Sequence, residues 1–158
     1  KIRGKTAALL AMACETGAML DSEDEVARKA HHRYGMSLGM AFQIVDDILD
    51  FTATEAELGK PVGHDLEQGT ITLPSLLYLR EHPGDTIVRA HFTGGDGLGE
   101  GATLEAVAAV RASGAIEGAR ARASAYVREA IGHLSMLPSS PSRDALEALA
   151  SFVISRHD

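Results

Sequence analysis

The stretch that decides the fold is YGMSLGMAFQIVDDILDF, Tyr34 to Phe51, followed by GKPVGHDLEQGTITLP, Gly59 to Pro74. No proline interrupts the first run. Its apolar side chains recur at helical spacing: Leu38, Phe42, Val45 and Leu49. The pattern therefore predicts one long helix from about Glu23 to Phe51.

Polar residues of this helix form a single stripe. Gln43, Asp46, Asp47 and Asp50 follow one another at i, i+3, i+4 and i+7, which places them on one face. Like charges at this spacing destabilise a helix, and the residues around them are apolar. A divalent cation would offset the repulsion. Mg²⁺ takes oxygen ligands and is often shared between one or two carboxylates and the phosphates of a substrate.

A basic group follows the aspartates. Lys60 stands in a turn-like segment between Gly59 and Pro61, and a further acid, Asp65, comes soon after it. A metal-carboxylate face beside a lysine has the composition of a diphosphate site. A D-D-x-x-D pattern alone is also common on solvated helix faces, so the motif by itself does not decide between the two interpretations.

The order of the motifs resembles a known family. GMAFQIVDDILDF (39–51), GKPVGHDLEQG (59–69) and TLPSLLYL (72–79) are similar to the second aspartate-rich region of the trans-isoprenyl diphosphate synthases, the polyprenyl synthetase family. KIRGKTAALLAMACETGA (1–18) resembles the stretch that precedes that region. The specific resemblance covers most of Lys1 to Arg80, and beyond it only a helical pattern supports the likeness.

The other segments are also predicted to be helical. A first helix, about Gly4 to Leu20, carries an apolar strip of Ala8, Leu9, Met12, Ala13 and Ala18. Further helical patterns cover about 72–80, 104–112, 116–137 and 143–157, and the segment Glu55 to Gly69 is predicted to be a loop. Because no long alternating segment exists, the predicted fold class is all-α. The resemblance implies an antiparallel helix bundle of the isoprenoid synthase type, with residues 1–158 as the C-terminal portion of one domain and about half of the fold.

Two glycines interrupt the long helix. Gly35 and Gly39 lie one turn apart, and each weakens an isolated helix. Glycines at this spacing let another helix approach closely, so a helix partner is predicted on this side.

The resemblance implies a reaction. Family members join isopentenyl diphosphate to an allylic diphosphate with Mg²⁺. The allylic diphosphate leaves, an allylic cation-like state develops, the double bond of isopentenyl diphosphate attacks it, and a proton is lost. Metals and lysines neutralise the leaving diphosphate, and an apolar cavity keeps water from the cation.

The resemblance also implies roles for particular residues, all read onto matching motif positions. Asp46 is the expected direct metal ligand, and Asp47 and Asp50 bind the metal directly or through water. The resemblance implies that Lys5 and Lys60 contact the diphosphate and that Asp65 supports these lysines electrostatically. It also implies that Thr6 and Gln43 line the reacting carbons. Phe42 is expected to pack against the prenyl chain. Some members carry a lysine where this chain has Thr70, so that basic contact is missing or supplied otherwise.

Composition excludes several classes of function. The chain has 158 residues, a formal net charge of −7 and no cluster of Lys and Arg, which argues against nucleic-acid binding. No run approaches the length of a membrane-spanning helix. A single cysteine, Cys14, suits a reducing compartment, and a cytoplasmic location is predicted. The chain begins at Lys1 inside an already periodic segment, which predicts a fragment of a longer protein.

Alternatives remain open at this level. The leading interpretation is a Mg²⁺-dependent trans-prenyltransferase whose fragment is inactive alone. The others are a non-catalytic regulatory or partner subunit of a heteromeric prenyl synthase, and a related class I terpene or squalene-type synthase. A homodimer is predicted, because removing upstream helices would uncover apolar surface on the long helix. Product chain length is not readable, since the family sets it near a first aspartate-rich motif that this chain lacks.

Overall fold

The computed structural model describes residues 3–21, 24–59, 61–94 and 101–155. All regular structure within these ranges is helical, which confirms the predicted all-α class. A π-helical turn, Arg3–Ala7, precedes nine α-helices in this described part: α1 (Ala8–Asp21), α2 (Glu25–Thr52), α3 (Glu55–Leu58), α4 (His64–Glu67), α5 (Leu73–Glu81), α6 (Ile87–Ala90), α7 (Ala102–Arg111), α8 (Ala115–Leu134) and α9 (Pro141–Ser155). None of the helices in these ranges is both long and apolar enough to cross a membrane.

The predicted loop from Glu55 to Gly69 is wrong in part, because it contains the one-turn helices α3 and α4. Glycines with positive φ interrupt them: Gly59 (φ 66°) follows α3, and Gly63 (φ 79°) precedes α4. The Gly and Pro content therefore predicted where the helices are interrupted, but it did not predict the one-turn helices between those interruptions. The predicted start of the long helix, Glu23, lies outside the described residues, and α2 is described from Glu25.

The chain divides into two compact units, residues 1–45 with 122–158, and residues 46–121. In the first unit, α1 and the turn before it pack closely on α2. A Cβ added to Gly35 would lie 2.5 Å from the carbonyl oxygen of Leu10, and one added to Gly39 would lie 2.5 Å from Cα of Ala7. The prediction that these glycines admit a close helix partner is confirmed.

This close approach decides which side of α1 is buried. Ala7 and Ala11 are fully buried, whereas Leu9 and Met12 are 67% and 61% exposed. The apolar strip that predicted the helix is thus not its buried face. Small side chains face α2 because the glycines bring the two backbones together, and the larger apolar side chains are left outside.

Tyr34 joins α2 to α9 in the first unit. The side chain is fully buried, and its hydroxyl donates a hydrogen bond of 2.8 Å to the carbonyl oxygen of Leu146. Burial raises the pKa of Tyr34 to about 12, so the hydroxyl remains a donor at all physiological pH values.

In the second unit, the turn after α5 is held by side chains. The Tyr78 hydroxyl donates to Asp85 Oδ2 (3.0 Å), and Asp85 Oδ1 accepts the amide of Val88 (2.8 Å). Burial, together with the hydrogen bond to Asp85, raises the pKa of Tyr78. Thr72 and Ser75 form a capping box at the start of α5.

Candidate metal and diphosphate site

The three aspartates stand in the last two turns of α2. Asp46 is exposed, whereas Asp47 and Asp50 are 5% and 1% exposed. The C-terminal end of a helix carries a partial negative charge, which favours cations, yet α2 has no basic residue in its last turn. Carboxylates placed there cost stability unless positive charge is supplied from outside the helix.

Asp50 ties the following loop to the end of α2. Its backbone carbonyl oxygen accepts the amide of Gly63 (2.8 Å), and its carboxylate oxygen Oδ2 accepts the amide of Asp65 (2.9 Å). The two predicted site residues Asp50 and Asp65 are therefore brought together, with Asp65 contributing its backbone. Lys60, the predicted diphosphate contact of this loop, lies outside the described residues.

Gly63 is a site residue that sequence reasoning missed. Its φ of 79° is a left-handed conformation, and a Cβ there would lie 2.6 Å from Cγ2 of Val107 and 2.9 Å from Cγ2 of Thr103. The loop is therefore pressed against α7. A glycine between Pro61 and Asp65 was the only sequence signal, and periodicity does not reveal which helix it meets.

A second polar group lies in the first unit. The Thr6 hydroxyl donates a 2.8 Å hydrogen bond to Gln43 Oε1. The structure thus joins two residues that the resemblance had assigned to the reacting carbons. Lys5 belongs to the same π-helical turn as Thr6, but its side chain is outside the described part of the structure.

Thr6 lines an apolar cavity of about 490 Å³ within the first unit. Its walls come from the start of the chain, α2 and α9: Thr6, Leu9, Leu10, Leu38, Phe42, Leu149, Phe152 and Val153. Thr6 supplies the only hydroxyl among these lining residues. The cavity includes Phe42, which was predicted to contact a prenyl chain. Phe152 was missed, although its position in the last amphipathic helix was visible in the sequence.

The aspartate stripe offers donors suited to a hard cation. All the candidate ligands are carboxylate oxygens, the type that Mg²⁺ and Ca²⁺ prefer. Among the described residues, no three His, Cys, Asp or Glu side chains form a group able to enclose a metal ion. Carboxylates on a helix face commonly share a divalent ion with water and with a phosphate-bearing ligand.

These features define a class: a helical protein with a carboxylate-rich helix end, a loop fixed to that end, and an apolar cavity lined in part by Thr6, whose hydroxyl donates to Gln43. A model of the family described as polyprenyl synthetase matches residues 1–108. The chain belongs to the polyprenyl synthetase family.

Individual relatives agree with this assignment. The chain is 38% identical over 157 residues to heptaprenyl diphosphate synthase component 2 of Bacillus subtilis, covering 97% of this chain and 43% of the relative. It superimposes with a TM-score of 0.91 on heptaprenyl diphosphate synthase from Staphylococcus aureus, at 36% identity over 99% of this chain and 49% of that one.

A third match carries ligands. A polyprenyl synthase from Caulobacter crescentus, crystallised with calcium and isoprenyl diphosphate, gives a TM-score of 0.87 at 34% identity, covering 99% of this chain and 48% of that one. The chain thus spans about half the length of each of these three proteins.

Proposed function

We propose that residues 1–158 are the C-terminal portion of a single all-helical domain in a trans-prenyltransferase. That enzyme condenses isopentenyl diphosphate with an allylic diphosphate to make polyprenyl diphosphates. Membership of the polyprenyl synthetase family supports the proposal, as does similarity to a heptaprenyl diphosphate synthase component and to a synthase crystallised with isoprenyl diphosphate.

The observation that carries the proposal is the apolar cavity beside the Thr6–Gln43 hydrogen bond. An allylic cation survives only where water is excluded, and it is stabilised by oxygen atoms placed at the edge of an otherwise apolar space. Phe42 lines the same cavity and would pack against the growing prenyl chain. A subunit without a catalytic role has no need for this combination.

Mg²⁺ is the proposed cofactor. Asp46 would be its principal ligand, with Asp47 and Asp50 binding directly or through water. When bound, the metal would neutralise the leaving diphosphate. The calcium in the Caulobacter crescentus structure supports the use of a divalent ion. Lys5 and Lys60 would contact the diphosphate, and Asp65 would support those lysines electrostatically.

A second candidate is a partner subunit in a heteromeric synthase. Two relatives, from Bacillus subtilis and Geobacillus stearothermophilus, are named component 2 of heptaprenyl diphosphate synthase, which indicates an enzyme of more than one kind of subunit. The aspartate stripe and the cavity favour the catalytic role over the regulatory one. A terpene or squalene-type synthase receives no support from the relatives described above. The cytoplasmic location remains a prediction.

The chain by itself is expected to form no product from isopentenyl and farnesyl diphosphates in the presence of Mg²⁺. It spans about half the length of these relatives. We infer that positioning the leaving diphosphate requires a second aspartate-rich motif. Radiolabelled isopentenyl diphosphate and thin-layer separation of the products would measure this, with the whole parent protein as the positive control. Turnover by the chain alone would show that the catalytic groups are misassigned. No turnover by the parent, with or without a partner subunit, would contradict the proposed function.

The chain is also expected to self-associate at micromolar concentration. The expected surface is the α1 face, defined as Leu9, Met12, Met19 and Leu20, all more than half exposed. The prediction that α2 would be the uncovered helix is wrong for Tyr34 to Phe51, a fully described stretch in which no large apolar residue is exposed.

Light scattering coupled to gel filtration would give the mass. Met12→Lys should shift the chain toward monomer, whereas Leu104→Lys, at an exposed apolar residue of α7, should not. A wild-type monomer, or equal effects of the two variants, would rule out association through the α1 face.

A further inference from the structure

The C-terminal end of α2 receives its positive charge from another helix. The Arg111 guanidinium, on the last residue of α7, donates from Nε to the carbonyl oxygen of Phe51 and from Nη2 to that of Ala53 (3.4 Å). Helix-end carbonyl groups lack partners within the helix, and a cation at this end is favourable. Arg111 therefore provides a positive charge at the end of α2, whose own last turn contains no basic residue.

The same face of α7 holds the loop that follows the aspartates. Thr103, Val107 and Arg111 are spaced at i, i+4 and i+8, so they lie on one side of α7. The side chains of Thr103 and Val107 lie against Gly63, and Arg111 binds the end of α2. Gly63 and Asp65 in turn donate their amides to Asp50. The end of α2, the loop and α7 thus form one connected group, entirely within residues 46–121.

We propose that Arg111 is a positioning residue for the metal and diphosphate site. It fixes the last turn of α2 so that Asp50 presents both its carbonyl and its carboxylate to the loop. It also adds a permanent positive charge near the carboxylate-rich helix end. The consequence for metal binding rests on the proposed function, whereas the consequence for loop order rests only on the hydrogen bonds.

Arginine suits this position better than lysine. The carbonyl oxygens of Phe51 and Ala53, two residues apart, are bound by two nitrogens of one planar group. A lysine can reach one of them and retains the charge. Arg111→Lys should therefore restore part of the function that Arg111→Gln removes.

Two variants and a control test the proposal in the intact chain. Arg80→Gln is the control, because Arg80 lies in the same unit, its side chain is 72% exposed, and its ion pair with Glu81 is long at 4.0 Å. Amide hydrogen exchange at Gly63 and Asp65 is measured by NMR without metal. Binding of Mn²⁺ alone is measured by electron paramagnetic resonance.

Arg111→Gln should speed exchange of the Gly63 and Asp65 amides about tenfold, corresponding to loss of charge-assisted hydrogen bonds at the helix end. It should weaken Mn²⁺ binding by a factor of roughly 5–10, because losing the fixed arrangement of Asp50 and the loop outweighs the removal of the repulsion between Arg111 and the cation. Arg111→Lys should give smaller changes in both, and Arg80→Gln should change neither. Exchange in α5, which no hydrogen bond described above connects to Arg111, should stay as in the wild type.

Wild-type exchange at Gly63 and Asp65 in Arg111→Gln would overturn the proposal. A uniform rise through the whole unit would also overturn it, because Arg111 would then be a general stabiliser. If wild-type chain binds no Mn²⁺, the metal site of the proposed function is contradicted, and the exchange rates alone decide whether Arg111 positions the loop.

Discussion

Replacing Gly39 by alanine is expected to lower the melting temperature of the chain by about 6–12 °C, from an overpacking cost of about 3 kcal/mol. The new Cβ would lie 2.5 Å from Cα of Ala7 and 3.1 Å from its Cβ and its backbone nitrogen. Two of these three atoms belong to the backbone, so no side-chain rotation relieves the overlap. The helices must separate, and the buried contact of Ala7 is lost.

Gly17→Ala is the matched control. Gly17 lies inside α1, and a Cβ added there meets no atom within 4 Å. The same change should therefore stabilise the chain by roughly 0.5–1 kcal/mol, since alanine favours a helix over glycine. Thermal unfolding followed by circular dichroism measures both variants. Equal melting temperatures for the two would show that the turn before α1 does not pack on α2 through Gly39.

Asp46→Ala in the whole parent enzyme is expected to reduce turnover about 10²-fold or more, as for the loss of other preorganised charge contacts. Asp50→Ala should cost less activity. Asp46 is exposed and shares its stripe with Gln43, whereas Asp50 already uses Oδ2 to accept the amide of Asp65. The more accessible carboxylate is the better candidate for the principal metal ligand.

The measurement is turnover at saturating Mg²⁺ for each variant. Asp144→Ala, an exposed acid in the first turn of α9, controls for the loss of one negative charge and should retain activity. Equal losses for Asp46→Ala and Asp50→Ala, or a greater loss for Asp50→Ala, would reject the ranking. Full activity of both would remove the aspartate stripe from the proposed metal site.

Much of this molecule was predictable because helices are encoded locally. The spacing of apolar residues located α2 and α8, and the apolar residues that recur at helical spacing in α8 are all buried: Ile116, Ala119, Ala123, Val127, Ala130 and Leu134. The aspartate stripe follows from the same periodicity, and the glycine pair of α2 predicted a close partner. That Thr6 and Gln43 belong to one site was expected only through resemblance, because the two residues lie far apart in the chain, and their hydrogen bond was not predicted.

The sequence by itself determined the helical class, the carboxylate stripe and the family. Only the tertiary structure decided which face of α1 is buried and that Gly63 packs against Thr103 and Val107. It also decided that Arg111 binds the carbonyl groups at the end of α2 and brings a positive charge there. Periodicity reports which residues share a face, since that depends on neighbours three and four positions away. It does not report what the face meets. That depends on contacts between segments distant in the chain, where side-chain size and backbone approach select the partner.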